Sequence, residues 1–469
     1  MDGYRRNKGM YKDRYQEYLQ LVPDKIRVCE ETKRRPVLAY ASNLDVLVRW
    51  DCDRFNRLLE VYLKEEPSFK EGEEIRNGED LARILSYFAI HGLGGEVDIT
   101  SQSAVDVLTE YFDVEYGLGG TCAQGAAALG SIGIPVLVHI TDCSRNVLDQ
   151  MSGRQIEAVK EGRVVPVEEC VSQEEALQHF IVQYSKDDVI RAAGKEYKVK
   201  LSNRLIMGYD KIHKVLPVKE DFLSYCEKNA GSLCSYDISG FNAVIEKDIM
   251  KERLERLVAH YKAVKAENPD CRIYFESAHF INNEIREYTY QTLSGVVDLM
   301  GMNEEELEDL TRTRGHAIDK GSLMSVLGGL EELAEVYPVH GFVVHSKDYA
   351  LYFGKDMPGI DIEQGLTMGN LLSGTRARTG RYGSFCDCEE TLGLALSSAG
   401  LAFAKELENY HSEYKTVLVP SRYLEMPKTT IGLGDSFVAG MQMCFIPANA
   451  GAMKPAADED KKNIKRRKG

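Results

Sequence analysis

The chain has 469 residues, a formal net charge of −15 and 43% hydrophobic residues, a composition ordinary for a globular protein large enough to hold two domains. The acidic balance argues against a nucleic-acid partner, no apolar run is long enough to cross a bilayer, and no apolar stretch follows Met1-Asp2-Gly3-Tyr4-Arg5-Arg6, so neither a membrane partner nor a signal peptide is expected. Eleven scattered cysteines, an odd number, fit reduced thiols and a cytoplasmic protein; the one close pair, Cys386-Asp387-Cys388, has no second Cys/His pair at metal-binding spacing.

In chain order, residues 10–22 read as a tyrosine-rich helix that ends at Pro23. Pro36-Val37-Leu38-Ala39-Tyr40-Ala41 then reads as a buried strand opening into Ser42-Asn43-Leu44-Asp45. An amide and a carboxylate at a strand end, Asn43 and Asp45, suit hydrogen bonds to adjacent sugar hydroxyls; an Asx-turn closing the strand fits the same residues. Residues 46–114 are charged and helix-rich, with the clearest helical patterns at 54–63 and 79–91. Tyr116-Gly117-Leu118-Gly119-Gly120-Thr121 leads into a small-residue helix, then a strand at 134–140 and Asp142. Gly117-x-Gly119 with Asp142 about twenty residues on resembles a dinucleotide fingerprint, but Cys122 stands where the third glycine belongs.

Residues 144–188 are mixed and polar. Residues 198–207 alternate as a strand, with Asn203-Arg204 inside it. Arg204 suits a bidentate phosphate contact, and also an ordinary edge-strand surface. Asp237-Ile238-Ser239-Gly240 closes another strand, and an amphipathic helix over 247–265 follows. Arg272-Ile273-Tyr274-Phe275-Glu276 is a strand carrying a carboxylate within an apolar run, which needs a partner or a cation. Asn303-Glu304-Glu305-Glu306 stands where a strand becomes a helix, and its spacing is that of a capping box. His345 ends a late strand at 339–346, and residues 388–408 read as one helix with a single buried face. The Lys/Arg-rich stretch 454–469 reads as a disordered basic tail.

The most informative stretch lies near the C-terminus, at Thr429-Thr430-Ile431-Gly432-Leu433-Gly434-Asp435-Ser436-Phe437-Val438-Ala439-Gly440. Two glycines at a helix start point backbone N–H groups and the positive helix end at one spot, a natural anion site. Asp435 at its mouth suits a base that takes a proton from a hydroxyl attacking a phosphoryl group. The helix end is expected to favour its ionised form. An N-cap aspartate in a tight turn is the other reading.

Gly-x-Gly-Asp at a late helix start resembles the ribokinase-like sugar kinases. The longer string from Val419 to Asp435, together with Asn43-x-Asp45, Gly119-Gly120, Asn203-Arg204, Asp237-Ile238-Ser239-Gly240 and Asn303-x-x-Glu306, resembles the ADP-dependent glucokinase and phosphofructokinase family from about Pro36 to Gly440. The resemblance implies an α/β fold: a ribokinase-like core with a mostly parallel sheet flanked by helices, plus a smaller α+β lid. It implies a core from residues 36–46, 116–145 and 208–445, lid segments at 47–115 and 146–207, and residues 1–35 as an N-terminal helical extension. It implies Asp435 as base, Gly432 and Gly434 as anion hole and Arg204 on phosphate. Asn43, Asp45, Gly119 and Gly120 would meet the sugar, and Glu276 and Glu306 would position Mg2+ or another divalent cation. Asn303, His345 and Leu433 would meet the nucleotide, with residues 388–408 near the adenine.

The expected activity is phosphoryl transfer from ADP to glucose, fructose 6-phosphate or another polyol, giving AMP. An ATP-dependent sugar or nucleoside kinase of the same fold, a catalytically silent sugar sensor and an NAD-linked oxidoreductase are the rivals. The family's His-x-Glu is Tyr274-Phe275-Glu276 here, a departure that bears on metal preference and positioning. Lys160, Arg163 and Lys186 are the cations available for a sugar-phosphate site. Oligomeric state is not legible in the sequence.

Overall fold

Apolar runs rich in Val, Ile, Tyr and Phe become the strands of two main sheets. The computed structural model describes residues 2–448, so the basic stretch 454–469 lies outside the described residues. The larger sheet has ten strands, in the order Lys415–Pro420, Tyr349–Gly354, Gly341–His345, Leu299–Asn303, Arg272–Glu276, Leu233–Ile238, Arg35–Ala39, Val136–Val138, Ile156–Lys160 and Arg163–Pro166. From Gly341–His345 to Ile156–Lys160 every pairing is parallel; both edges are antiparallel. Parallel strands are covered on both faces, which is why Leu233–Ile238 is buried at every residue. Alternate side chains feed two cores: Tyr274 packs with Leu366, Phe437 and Tyr15, whereas Ile273 and Phe275 pack with Leu254, Leu293 and Leu330.

The smaller sheet has five strands, ordered Gly95–Asp98, Asn203–Tyr209, Gln178–Tyr184, Asn43–Val48 and Val114–Gly119. One face buries Val46, Val48, Phe180, Val182, Leu205 and Met207 in a core shared with the helices Cys52–Tyr62, Gly78–His91 and Gln102–Tyr111. The period of two turns Asp45, His179, Ile181, Arg204 and Ile206 to the opposite face. Register aligns them in rows, Asp45 opposite His179 and Ile181 opposite Ile206.

The α/β class, the mostly parallel sheet and the smaller α+β unit agree with the sequence expectation. Several local readings need correction. The N-terminal helix Asp2–Gln20 is followed by a second, Val22–Thr32, because Pro23 falls in its first turn, where no N–H is needed. The strand expected over 198–207 is two strands, Lys195–Lys198 and Asn203–Tyr209. The helix expected over 388–408 is two, Phe385–Thr391 and Ser398–Leu407, separated at Gly393 and restarted by Ser397, whose hydroxyl caps Gly400 N–H at 3.3 Å.

The sheets also divide the chain differently from simple segments. Ile156–Lys160 and Arg163–Pro166, within 146–207, are hydrogen-bonded into the larger sheet through a tight hairpin at Glu161-Gly162, both with positive φ (52° and 71°). Asn43–Val48 and Val114–Gly119 belong to the smaller sheet, so the chain crosses between sheets just after Ala39 and at Gly119-Gly120. Among the described residues no helix is long and apolar enough to cross a membrane, and all eleven cysteines are free.

Candidate active site

At the carboxyl ends of the central parallel strands, the two sheets face each other across a cavity of about 280 Å3. This is where open parallel sheets gather ligands. The smaller sheet contributes Asp45, His179 and Arg204; the strand ends contribute Glu276, Asn303 and His345; Glu306 follows one turn later. Thr430 to Asp435 closes the remaining wall. A second cavity of about 480 Å3 adjoins the first, sharing Arg204, Ser277, Asn303 and Glu306 and adding His279 and Arg286. Lys160, Arg163 and Lys186 line neither cavity.

The Gly-x-Gly-Asp stretch forms as a loop entering the helix Leu433–Met441. Gly432 is the N-cap in the left-handed region (φ 73°), and a Cβ there would fall 2.0 Å from Gln124 Oε1. Asp435 is therefore the third helical residue, not the N-cap. Its carboxyl is held above the usual aspartate range, chiefly by burial, with Glu276 adding to the effect. Thr121, His345 and Arg376 oppose the shift. Burial thus works against the ionised form that the helix end was expected to favour.

Asp45 is the cavity-facing member of the Asn43–Asp45 pair. Asn43 lies behind it, buried, and its Nδ2 donates to Asp45 Oδ1 at 2.9 Å. Burial pushes Asp45 up to about 7. Gly119 and Gly120 do not line this cavity. A Cβ at Gly119 would sit 2.1 Å from Asp45 Oδ1, and one at Gly120 (φ 82°) 2.4 Å from Ala41 O. Both glycines allow the crossover between sheets to pass close behind the Asn43–Asp45 pair.

Glu276 is enclosed and both its oxygens are engaged. Tyr274 Oη donates to Oε2 at 3.0 Å and His345 Nε2 to Oε1 at 2.7 Å. His345 stacks on Phe437, ring centroids 4.7 Å apart, so one ring links Glu276 to the Asp435 helix. Asn303 and Glu306 form a full capping box: Asn303 Oδ1 accepts from Glu305 and Glu306 N–H, and Glu306 Oε2 from Asn303 N–H at 3.0 Å. Burial, with Glu276 second, pushes Glu306 up to about 7.

Asp237 lies near both Glu276 and Asp435, fully buried, with no side chain hydrogen-bonded to its carboxyl group; burial holds that group well above the usual range. A concentration of carboxyl groups with an orphaned member fits a nearby divalent cation. Apart from Asp435, Glu276 and Glu306 are the two carboxyl groups that line the cavity on the side of the larger sheet.

Sequence reading missed four residues here. Gln124 accepts from Tyr382 Oη at 2.9 Å and lines the cavity. Thr121, His179 and Arg376 were also passed over. Thr121 and Gln124 carry a signal in hindsight, polar residues at the start of a helix that is otherwise Ala, Gly, Cys and Leu up to its last residue, Ser131. His179 and Arg376 sit on elements whose placement depends on long-range pairing.

The chain matches the family model described as the ADP-specific phosphofructokinase/glucokinase conserved region over residues 34–443. It is 23% identical to an ADP-specific phosphofructokinase of Methanosarcina acetivorans, over 86% of this chain and 91% of that protein. It is 22% identical to an ADP-dependent glucose/glucosamine kinase of Pyrococcus abyssi, over 91% of this chain and 96% of that one. Among solved structures, an ADP-dependent kinase in complex with fructose-6-phosphate and ADPβS superposes with a TM-score of 0.73 at 19% identity, covering 94% of this chain and 99% of that one. With the family model spanning residues 34–443, this chain belongs to the ADP-specific phosphofructokinase/glucokinase family.

Proposed function

We propose that the protein is an ADP-dependent sugar kinase, transferring the β-phosphoryl group of ADP to a hydroxyl of a hexose or hexose phosphate and releasing AMP. One observation carries this reading: Asp435, at a glycine-rich helix start, shares a cavity with Asp45 on one sheet and with Arg204, Glu276 and Asn303 around it. The larger sheet with its helices is the core. The smaller sheet and the helices Cys52–Tyr62, Gly78–His91 and Gln102–Tyr111 are the lid.

The acceptor lies against Asp45, oriented by Asn43 from behind, with Gln124 beside it. Its hydroxyl oxygen attacks the β-phosphorus as the hydroxyl proton passes to an Asp435 carboxylate oxygen. The bond from the β-phosphorus to the bridging oxygen breaks, and that oxygen leaves with AMP. The N–H groups of residues 432–435 and the helix end receive charge on the transferring group, and Arg204 reaches it from the lid. The phosphates lie by Leu433 and Asn303, next to His345. A divalent cation, Mg2+ in this reading, would neutralise phosphate charge, and Glu276 and Glu306 are the residues that would hold it. Closing the lid keeps water from competing as acceptor.

The test is a panel of glucose, fructose 6-phosphate and other sugars with ADP and ATP as separate donors. The expected result is AMP and sugar phosphate in equal amounts from ADP. Turnover of ATP to ADP, with no AMP formed from ADP, overturns the donor and leaves a kinase of the same fold.

A further inference from the structure

Arg376 and Tyr382 have no part in the reaction just described and line neither cavity, yet they stand directly behind the glycine-rich loop. Arg376 is on the helix Ile362–Thr379, one turn before its C-cap, Gly380, which is in the left-handed region (φ 77°). The chain turns back there, and Tyr382 comes to lie against Arg376, the guanidinium carbon 4.2 Å from the ring centre. Arg154, hydrogen-bonded to Ser131 Oγ at 2.9 Å, lies 5.8 Å from the same ring centre. Arg376 Nη1 donates to Gly380 O at 3.2 Å and Nε to Ile431 O at 3.4 Å. Tyr382 Oη donates to Gln124 Oε1 at 2.9 Å.

Both arms of this network end at one residue of the loop. A Cβ at Gly432 would fall 2.0 Å from Gln124 Oε1 and 3.6 Å from Arg376 Nε, so Gly432 is packed against both partners of Tyr382. The Ile431–Gly432 peptide is trans, and in a trans peptide the C=O and N–H point to opposite sides. Tying the Ile431 carbonyl to Arg376 therefore turns the Gly432 N–H away from Arg376, which lies outside the cavity that Gly432 lines. A planar guanidinium stacked on a ring and bonded to two carbonyls has little freedom to move with the loop. Its charge also favours the ionised forms of Asp435 and Asp45.

We propose that Arg376 is a positioning residue for phosphoryl transfer: stacked on Tyr382, it fixes the Ile431–Gly432 peptide and so aims the N–H groups of residues 432–435 at the transferring group. Tyr382, through Gln124, braces the same glycine. The effect on catalysis rests on the kinase reading; the fixing of the loop does not.

Two measurements keep these apart. Amide hydrogen exchange of the ligand-free full chain, read on peptides covering residues 429–440, reports on the loop whatever the reaction. Arg376→Lys keeps the charge but loses the planar stack and the reach to two carbonyls. It should speed exchange in this segment by about 10-fold or more, with exchange of the central strand Leu233–Ile238 unchanged. Arg376→Gln is read in the same way should the lysine variant not fold, and Tyr382→Phe, which keeps the ring, should have a smaller effect. In the kinase assay, Arg376→Lys should lower kcat by about 10- to 100-fold while each KM stays within about twofold of the parent. The proposal is overturned if exchange over 429–440 matches the parent, because Arg376 then acts by charge alone. It is also overturned if the sugar KM rises with kcat unchanged, which makes Arg376 an acceptor-binding residue. If the parent forms no AMP from ADP the kinase reading fails, and faster exchange in Arg376→Lys still supports the fixing of the loop.

Discussion

Asp435 stands at the third position of its helix, so exchanging it for asparagine removes a charge without removing a cap. Burial already disfavours that charge, and the Asp435→Asn protein should be at least as heat-stable as the parent. Its turnover should fall by about 10²–10⁴-fold, the usual range for loss of a general base, with nucleotide and sugar affinities measured by calorimetry nearly unchanged. Near-normal turnover would remove Asp435 from the mechanism. Asp45 supports a second prediction, about pH. Its folded-state pKa, about 7, lies above the ordinary 3.8, so the fold holds a proton that the unfolded chain releases. That contribution to stability is complete below the ordinary value and is lost as pH rises toward 7. Asp45→Asn should therefore flatten the fall in melting temperature of the ligand-free protein between pH 4 and about 7. Parallel melting curves for parent and variant would show that Asp45 is not perturbed in this way.

The helix that carries Asp435 is placed by close backbone packing. A Cβ at Gly440 would lie 2.4 Å from Gly369 N, and one at Gly369 would lie 2.6 Å from the Phe437 ring and 2.9 Å from Phe437 O. Gly125, on the Thr121–Ser131 helix, stands 3.6 Å from Asp435 O by the same measure. Three helices thus meet where side chains are absent. Gly369→Ala favours the helix locally but overpacks this junction, and should cost about 1–3 kcal/mol in chemical denaturation. It should also lower kcat more than it raises either KM, because Phe437 is two residues from Asp435. Unchanged stability would mean the helices shift apart freely.

Such glycines are visible in the sequence, but their partners are not. The Gly432-to-Asp435 stretch and Asn303-to-Glu306 were legible because the turn, cap and helix signals are local. The inner face of the lid was not. Asp45 pairs with His179 across 134 positions of chain and with Gly117 on its other side, and no local period announces that register. Likewise, the break at Gly393 was hidden because Leu392, Leu396, Ala399 and Phe403 keep a helical spacing in the sequence, although Ala399 is exposed and Phe403 only half-buried in the fold.

At the scale of the whole molecule, the two sheets have different duties and few covalent links. The strand rows Asp45–His179 and Ile181–Ile206 present one flat polar-to-apolar surface to the strand ends of the larger sheet. Arg204 stands at the outer margin of that surface, exposed, with its guanidinium in no ion pair among the described residues. An unpaired cation over a cavity that holds a helix N-terminus is placed to grip a phosphate shared with the opposite wall. In the proposed reaction a phosphate bridging the two walls would draw them together and so couple donor binding to exclusion of water. The radius of gyration in solution scattering should therefore shrink when ADP is bound, and shrink again when sugar is added. Arg204→Ala should raise the nucleotide KM by about 10- to 100-fold, the worth of a charge-assisted hydrogen bond, and should abolish the first contraction. If the parent protein keeps one radius of gyration with both ligands saturating, the lid does not close and Arg204 acts as a fixed phosphate ligand. If contraction persists in the Arg204→Ala protein, closure is driven from the Asp45 side, by the sugar rather than by the nucleotide.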